Sequence, residues 1–229
     1  MADVLLLTGG PDHAHDFDAL ATALGSILDE DHHTTTVWDP DAAAVILAGD
    51  RPDVVVVNAL RWQMSADRYA PWRERWGYRT TQVFREMMAA FVAEGGGLFA
   101  NHTATICFDD WAEWGDIVGG SWNWERSWHP EPSRVKVDLC GDHPVIAGMV
   151  DGFEVVDEVY SDLDLRPGIE VLGRAVASDA SEAQPVIWAH RYGEGRVVYD
   201  GFGHDATSLL ADGHGDLIRR AVRWVAKEI

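Results

Sequence analysis

Three short, wholly apolar runs constrain this chain most: Val4-Leu5-Leu6-Leu7, Val54-Val55-Val56-Val57 and Leu98-Phe99-Ala100. A run of this length without polar alternation suits a strand buried on both faces, as in a parallel sheet covered by helices. Each run stops at turn or polar residues, namely Gly9-Gly10-Pro11, Asn58 and Asn101-His102. Between the runs the period changes. Phe17, Leu20, Ala21, Leu24 and Leu28 recur at helix spacing, and so do Phe84, Met87, Met88 and Phe91. Strands are expected at 3–8, 34–38, 54–58 and 98–101, with helices around 17–28, 41–48, 81–94 and 111–118. A long Trp- and Arg-rich connection occupies 59–79. Strand–helix alternation implies right-handed crossovers and a doubly wound parallel sheet.

After Gly119-Gly120 the pattern changes to short strands separated by turn residues, at 134–139, 153–156, 170–177, 185–190 and 196–200. A final helix is expected at 217–227. No repeat, linker or low-complexity stretch divides the 229 residues, so 1–229 reads as a single domain.

Composition narrows the partners. Asp and Glu number 38 against 18 Lys and Arg, a formal net charge of −20. Such a surface repels phosphate backbones and anionic lipid, which argues against nucleic-acid and membrane partners. No apolar run reaches bilayer length, and Met1-Ala2-Asp3 lacks the basic flank of a signal peptide, so a cytoplasmic location is expected. Cys107 and Cys140 are too few for a disulfide framework and read as reduced, packed thiols. The outlier is 11 Trp, several of them between Trp62 and Trp128. Trp on loops suits stacking against sugar faces, and it equally suits a subunit interface in a homo-oligomer.

In open α/β sheets ligands bind beyond the carboxyl ends of the strands. The stretch from Gly95 to Ala104 has the layout of a nucleophile elbow, in which a strained strand-to-helix turn pushes one side chain into the site. Its apex is His102, or Asn101, rather than Ser or Cys. Cys107 falls about one helical turn further on, so a thioester route is not expected. The plainer alternative is that His102 caps the next helix. Gly203-His204-Asp205 follows a late strand, and His204 is a candidate to meet His102 across the sheet, for acid–base work or metal ligation. The alternative is an Asp205 helix cap beside a half-buried histidine.

Asp12-His13-Ala14-His15-Asp16 offers a His-x-His pair, so His13, His15, His102 and His204 form a candidate set for a divalent metal such as zinc. An acidic helix cap explains the same stretch without an ion. Glu158 is a candidate general base, with Asp157 and Tyr160 beside it. Trp122, Trp124 and His129, on the loop from Gly119 to Pro130, are candidate wall residues, and Asn101 and Asp205 complete the expected substrate contacts. His143 reads as part of a structural turn, His32-His33 as solvated surface, and His190 fits either role. No phosphate-binding motif is present, because no helix follows Gly193-Glu194-Gly195.

Ordered motifs then point to a family. Thr8-Gly9-Gly10 with His13 to Asp16, Gly95-Gly96-Gly97-Leu98-Phe99 leading to His102, and Val118-Gly119-Gly120-Ser121-Trp122 occur in sequence. His143-Pro144-Val145, Asp157-Glu158-Val159-Tyr160, Pro185-Val186-Ile187-Trp188, Tyr192 to Tyr199 and Gly203-His204-Asp205 follow. In these pieces the chain resembles the ThuA-like (trehalose utilisation) family of the class I glutamine amidotransferase-like superfamily. The resemblance implies an α/β flavodoxin-like three-layer sandwich, with a mostly parallel sheet and added antiparallel strands in the C-terminal half. It implies a link to disaccharide or keto-sugar catabolism and no glutaminase activity, since the cysteine position holds another residue. The superfamily's catalytic histidine sits at a late strand end, similar to His204. The Trp-rich segments at 62–76 and 120–129 depart from the simplest family pattern.

Three functions are consistent with these features. The first is a sugar-modifying enzyme in which His102, His204 and Glu158 carry acid–base or metal chemistry on a small sugar-like substrate. The second is a non-catalytic carbohydrate-binding or assembly protein. The third is a zinc-dependent hydrolase.

Overall fold

The computed structural model describes residues 1–149 and 152–229. Its first half follows the apolar runs: β1 (Asp3–Gly9), α1 (Phe17–Leu28), β2 (His33–Val37), α2 (Pro40–Ala48) and β3 (Val54–Ala59). Next come α3 (Ala70–Trp76), α4 (Gln82–Ala93), β4 (Gly97–Asn101) and α5 (Ala112–Val118). The second half contains β5 (Gly120–Ser121), β6 (Ser133–Leu139), β7 (Gly152–Asp157), β8 (Asp164–Leu165), β9 (Glu170–Val176), β10 (Ala183–Tyr192) and β11 (Gly195–Asp200). Helices α6 (Ala206–Leu209) and α7 (His214–Val225) close the chain.

Among the described residues, nine strands form one sheet in the order β2-β1-β3-β4-β11-β10-β9-β6-β7. The strands from β2 to β11 pair in parallel, and those from β11 to β7 pair antiparallel. This is the expected sandwich with its antiparallel extension. Val54, Val55, Val56 and Val57 are all fully buried because helices cover both faces of β3. Val54 and Val56 join one core with α1 and α7, and Val55 and Val57 join the other with α2 and α4. Burying each valine is worth about 1.5–3 kcal/mol.

Helix starts follow local chemistry. Asp16 accepts the Ala19 N–H, Asp39 accepts those of Asp41 and Ala42, and Thr81 accepts that of Phe84. The connection at 59–79 differs from expectation, since it contains the short helix α3. Arg73 holds that helix to the preceding loop, donating to the carbonyls of Met64, Ser65 and Ala66. No buried apolar stripe marks α3, because none of its residues is buried. No helix among the described residues is long and apolar enough to cross a membrane.

Parallel order matters for function because it aligns the carboxyl ends of β1, β3, β4 and β11 along one edge. Chain turns leave that edge at Gly9-Gly10, Asn58-Ala59, Asn101-His102 and Gly201-Phe202.

Candidate functional site

Three of these turns each deliver one histidine. His15 follows β1, His102 follows β4 and His204 follows β11. Ring centroids lie 5.1 Å apart for His15 and His102, 4.7 Å for His15 and His204, and 5.9 Å for His102 and His204. One ligating atom from each falls within 4.8 Å of the other two.

His102 sits at the apex of the elbow, with φ +48°, in the left-handed region that L side chains rarely adopt. Its neighbours hold it there. Nδ1 is 2.8 Å from the Gly201 carbonyl, and the Tyr199 hydroxyl donates to the His102 carbonyl at 3.0 Å. A carbonyl only accepts, so Nδ1 carries the proton and Nε2 keeps its lone pair when the ring is neutral. His15 repeats this arrangement, with Nδ1 3.0 Å from the His204 carbonyl. Burial first, and then the field of His102, lowers the His15 pKa to about 3, so its imidazole is neutral near pH 7.

Glu158, just beyond β7, binds the cluster together. Its Oε2 is 3.6 Å from His102 Nε2, and its Oε1 is 3.4 Å from His204 Nδ1 and 3.2 Å from His129 Nδ1. Burial works against its charge. Hydrogen bonding from His129 and His204 and the field of His102 outweigh burial and hold the carboxyl well below the usual carboxylate range. In return Glu158 raises both His129 and His204, chiefly through its hydrogen-bonding contact. Tyr160 places its hydroxyl 3.4 Å from His102 Nε2, and burial keeps that phenol protonated. Trp122 packs edge-on against both Tyr160 and His129. A cleft of about 580 Å³, whose lining includes Gly9, Gly10, His15, Asp16 and Arg61, opens beside His15.

The chemistry of this set suits a divalent cation. Three imidazoles, two of them with Nδ1 fixed by a backbone carbonyl, resemble zinc-ligating histidines whose second nitrogen is tethered. Three protein ligands also leave a position for water or substrate.

The other singled-out residues take the following places. His13 is exposed and stacks on Trp72 with centroids 4.3 Å apart, outside the three-histidine group. Asn101 is fully buried, where it accepts from Asn58 Nδ2 and donates to the Phe202 carbonyl, both at 2.7 Å, and so ties strand ends together. Asp157 is fully buried too. Its carboxylate accepts the N–H groups of Gly203 and His204 and the Ser208 hydroxyl, which makes it the anchor of the His204 turn. Asp205 caps α6 by accepting the Ser208 N–H at 2.9 Å. His32 is buried, not solvated, and its Nδ1 accepts the Ala2 N–H at 3.3 Å.

Other expectations match the geometry. The Cys107 thiol is buried, donates to the Ala59 carbonyl at 2.8 Å, and has its pKa pushed up by burial to about 12, which favours the neutral thiol near pH 7. His143 accepts the Val145 N–H within its turn, and both cysteines are free. Sequence reasoning missed the anchoring role of Asp157. The signal available was its place at the end of a strand, one residue before Glu158.

Comparison with known proteins agrees with this architecture. A putative ThuA-like protein from Parabacteroides merdae is similar over 99% of this chain and 90% of its own, with TM-score 0.80 and 18% identity. Another from Bacteroides uniformis is similar over 97% of this chain and 90% of its own, with TM-score 0.72 and 17% identity. A cytoplasmic protein of Salmonella typhimurium is similar over 97% and 99% of the two chains, with TM-score 0.64 and 13% identity. No functionally curated protein matches the sequence. The family model described as trehalose utilisation matches residues 3–225, so this chain belongs to the ThuA family.

Proposed function

We propose that this protein is an enzyme of carbohydrate catabolism that acts on a sugar or keto-sugar at a divalent cation held by His15, His102 and His204. The observation that carries this reading is the convergence of three imidazoles from three separate strand-end turns onto one point, with Glu158 beside them. The family description, trehalose utilisation, supports the carbohydrate class.

A cation bound there would polarise a sugar carbonyl or hydroxyl and activate a bound water. Each protein group then has a task. Gly201 and His204 fix the His102 and His15 rings through their carbonyls. Glu158, held as a carboxylate, keeps negative charge beside His102 and His204, and the half-exposed His129, 3.2 Å from its Oε1 and raised by it, exchanges protons with solvent. Tyr160 offers its hydroxyl proton next to His102. Cys107, buried and bonded to the Ala59 carbonyl, is assigned no step.

The test has two parts. Protein purified without chelator or affinity tag is expected to contain about one equivalent of transition metal per chain, and His15→Ala to lose it. Turnover of disaccharides and their 3-keto forms is expected to fall with metal removal and return on reloading. Absence of stoichiometric metal together with undiminished turnover overturns the metal reading. Sugar binding without turnover in the metal-loaded protein overturns the enzyme reading in favour of a carbohydrate-binding protein.

A further inference from the structure

Arg61 stands just beyond the carboxyl end of β3, in the wall of the cleft of about 580 Å³ that opens beside His15. Three neighbours fix its head. Nη2 donates to the carbonyl of Trp38, just past β2, at 2.8 Å. The guanidinium carbon lies 5.6 Å from the ring centroid of Trp76, on α3. Against β1 the head rests on Gly9, which has φ +105°. A Cβ at that position would stand 2.9 Å from Nη2, so the glycine leaves the space that the guanidinium fills.

This head is held in place without being neutralised. It makes no ion pair among the described residues, because the nearby acids are engaged elsewhere. Asp12 pairs with Arg75 at 3.2 Å, Asp16 accepts the Ala19 N–H, and Asp39 accepts those of Asp41 and Ala42. Asp18 lines the same cleft but is exposed, in the first turn of α1. The bond to Trp38 is the one hydrogen bond of the Arg61 head among the described residues. Nε is enclosed without an acceptor, whereas Nη1 has no acceptor and is not enclosed. Burial pushes the Arg61 pKa down, the mark of a charge taken partly out of water. A half-buried guanidinium stays charged near pH 7, and a partly desolvated charge without a counter-charge is costly.

An anion bound from the cleft would supply that counter-charge. Nη1 offers its N–H groups there, in the planar arrangement that carboxylate oxygens accept. One uncompensated positive charge near Asp16 and Asp18 suits a carboxylate, with a single negative charge, better than a phosphate carrying nearly two. His15 lines the same cleft, so a ligand anchored at Arg61 lies beside the histidine centre.

We infer that Arg61 determines specificity by binding the carboxylate of a monoanionic substrate, so that the molecule worked on at the histidine centre is a sugar acid or its keto form. This rests on the function proposed above and adds the charge of the substrate.

Calorimetry with glucose, gluconate, glucuronate and glucose 6-phosphate tests it, on metal-loaded and metal-free protein. In the metal-loaded parent, gluconate or glucuronate is expected to bind about tenfold or more tighter than glucose. Arg61→Gln is expected to remove that preference while metal content and glucose affinity stay as in the parent. Arg61→Met, a second neutral variant that keeps an apolar stem against Trp76, is expected to do the same. Glucose 6-phosphate is expected to bind no tighter than the better of the two acids. Equal affinity of the parent for glucose and both acids overturns the inference, and this comparison needs no variant to fold. An acid preference that survives in the neutral variants also overturns it. If that surviving preference disappears on metal removal, the cation and not Arg61 holds the carboxylate. Tighter, Arg61-dependent binding of glucose 6-phosphate overturns the carboxylate assignment in favour of phosphate. The histidine reading fails separately: if His102→Ala keeps full turnover while Arg61→Gln loses the acid preference, the Arg61 subsite stands and the proposed chemistry falls.

Discussion

Two buried histidine environments lie close together at the β11 end of the sheet, and they contrast sharply. His214, at the start of α7, is fully buried and has both nitrogens engaged. Nδ1 is 2.7 Å from the Ser208 carbonyl and Nε2 is 2.8 Å from Asp200 Oδ2, while the ring stacks on Phe153. In the trio of His15, His102 and His204, the His15 and His102 rings are each fixed through Nδ1 by a backbone carbonyl, while the contacts of His102 Nε2, 3.4 Å to the Tyr160 hydroxyl and 3.6 Å to Glu158 Oε2, are longer than the His214–Asp200 bond. Burial is common to His214 and His102. What separates a structural histidine from a candidate ligand here is the second nitrogen.

That contrast is open to experiment. The largest expected effect falls on the trio: His102→Ala and Glu158→Gln should each reduce turnover by about 10²–10⁴-fold while the melting temperature stays near that of the parent. Full turnover in His102→Ala would erase the distinction. Replacement of His214 should act the opposite way. His214→Gln leaves Asp200 buried without its partner and should lower unfolding free energy by about 3 kcal/mol, measured by denaturant titration, with metal content unchanged.

A pH dependence sharpens the same point. Burial alone would lower the His214 pKa from 6.5, but the charge and hydrogen bond of Asp200 outweigh it and raise the value. The folded state therefore holds this proton more tightly than the unfolded chain. The resulting stability is fully present below about pH 6.5 and is lost as pH rises through the raised folded value. The difference in stability between parent and His214→Gln should narrow over that window, and a constant difference would contradict the assignment. The smallest effect belongs to Cys107. Cys107→Ala loses the bond to the Ala59 carbonyl, so it should cost about 1 kcal/mol and leave turnover unchanged, and a large drop in turnover would return the thiol to the chemistry.

Much of the fold was legible because burial writes itself into residue type. The valine run of β3 and the Leu-rich β1 admit few other readings, and the helix starts carry Asp or Thr where N-caps need them. Helix α3 was not legible, since it contributes no buried stripe and is held by Arg73 bonding loop carbonyls, a pattern without a sequence period. The site was legible in part. Strand-end positions singled out His15, His102, His204 and Glu158, and the elbow layout located the strained turn. The division of labour within the site was not, because it depends on contacts between residues far apart in sequence. Asn101 and Asp157 look like substrate ligands in one dimension, yet Asn58 and the Gly203–His204 backbone absorb their polar atoms. His13 pairs with His15 in sequence but points to Trp72.

The central claim is that three histidines from three turns share one ion. Anomalous diffraction from crystals of protein purified in its metal-replete state tests it most directly. A peak is expected about 2.0–2.1 Å from a ring nitrogen of each of His15, His102 and His204, with Glu158 adjacent and His13 outside the coordination sphere. A map with no peak among these rings, or a peak at His13 or another cluster, would contradict it.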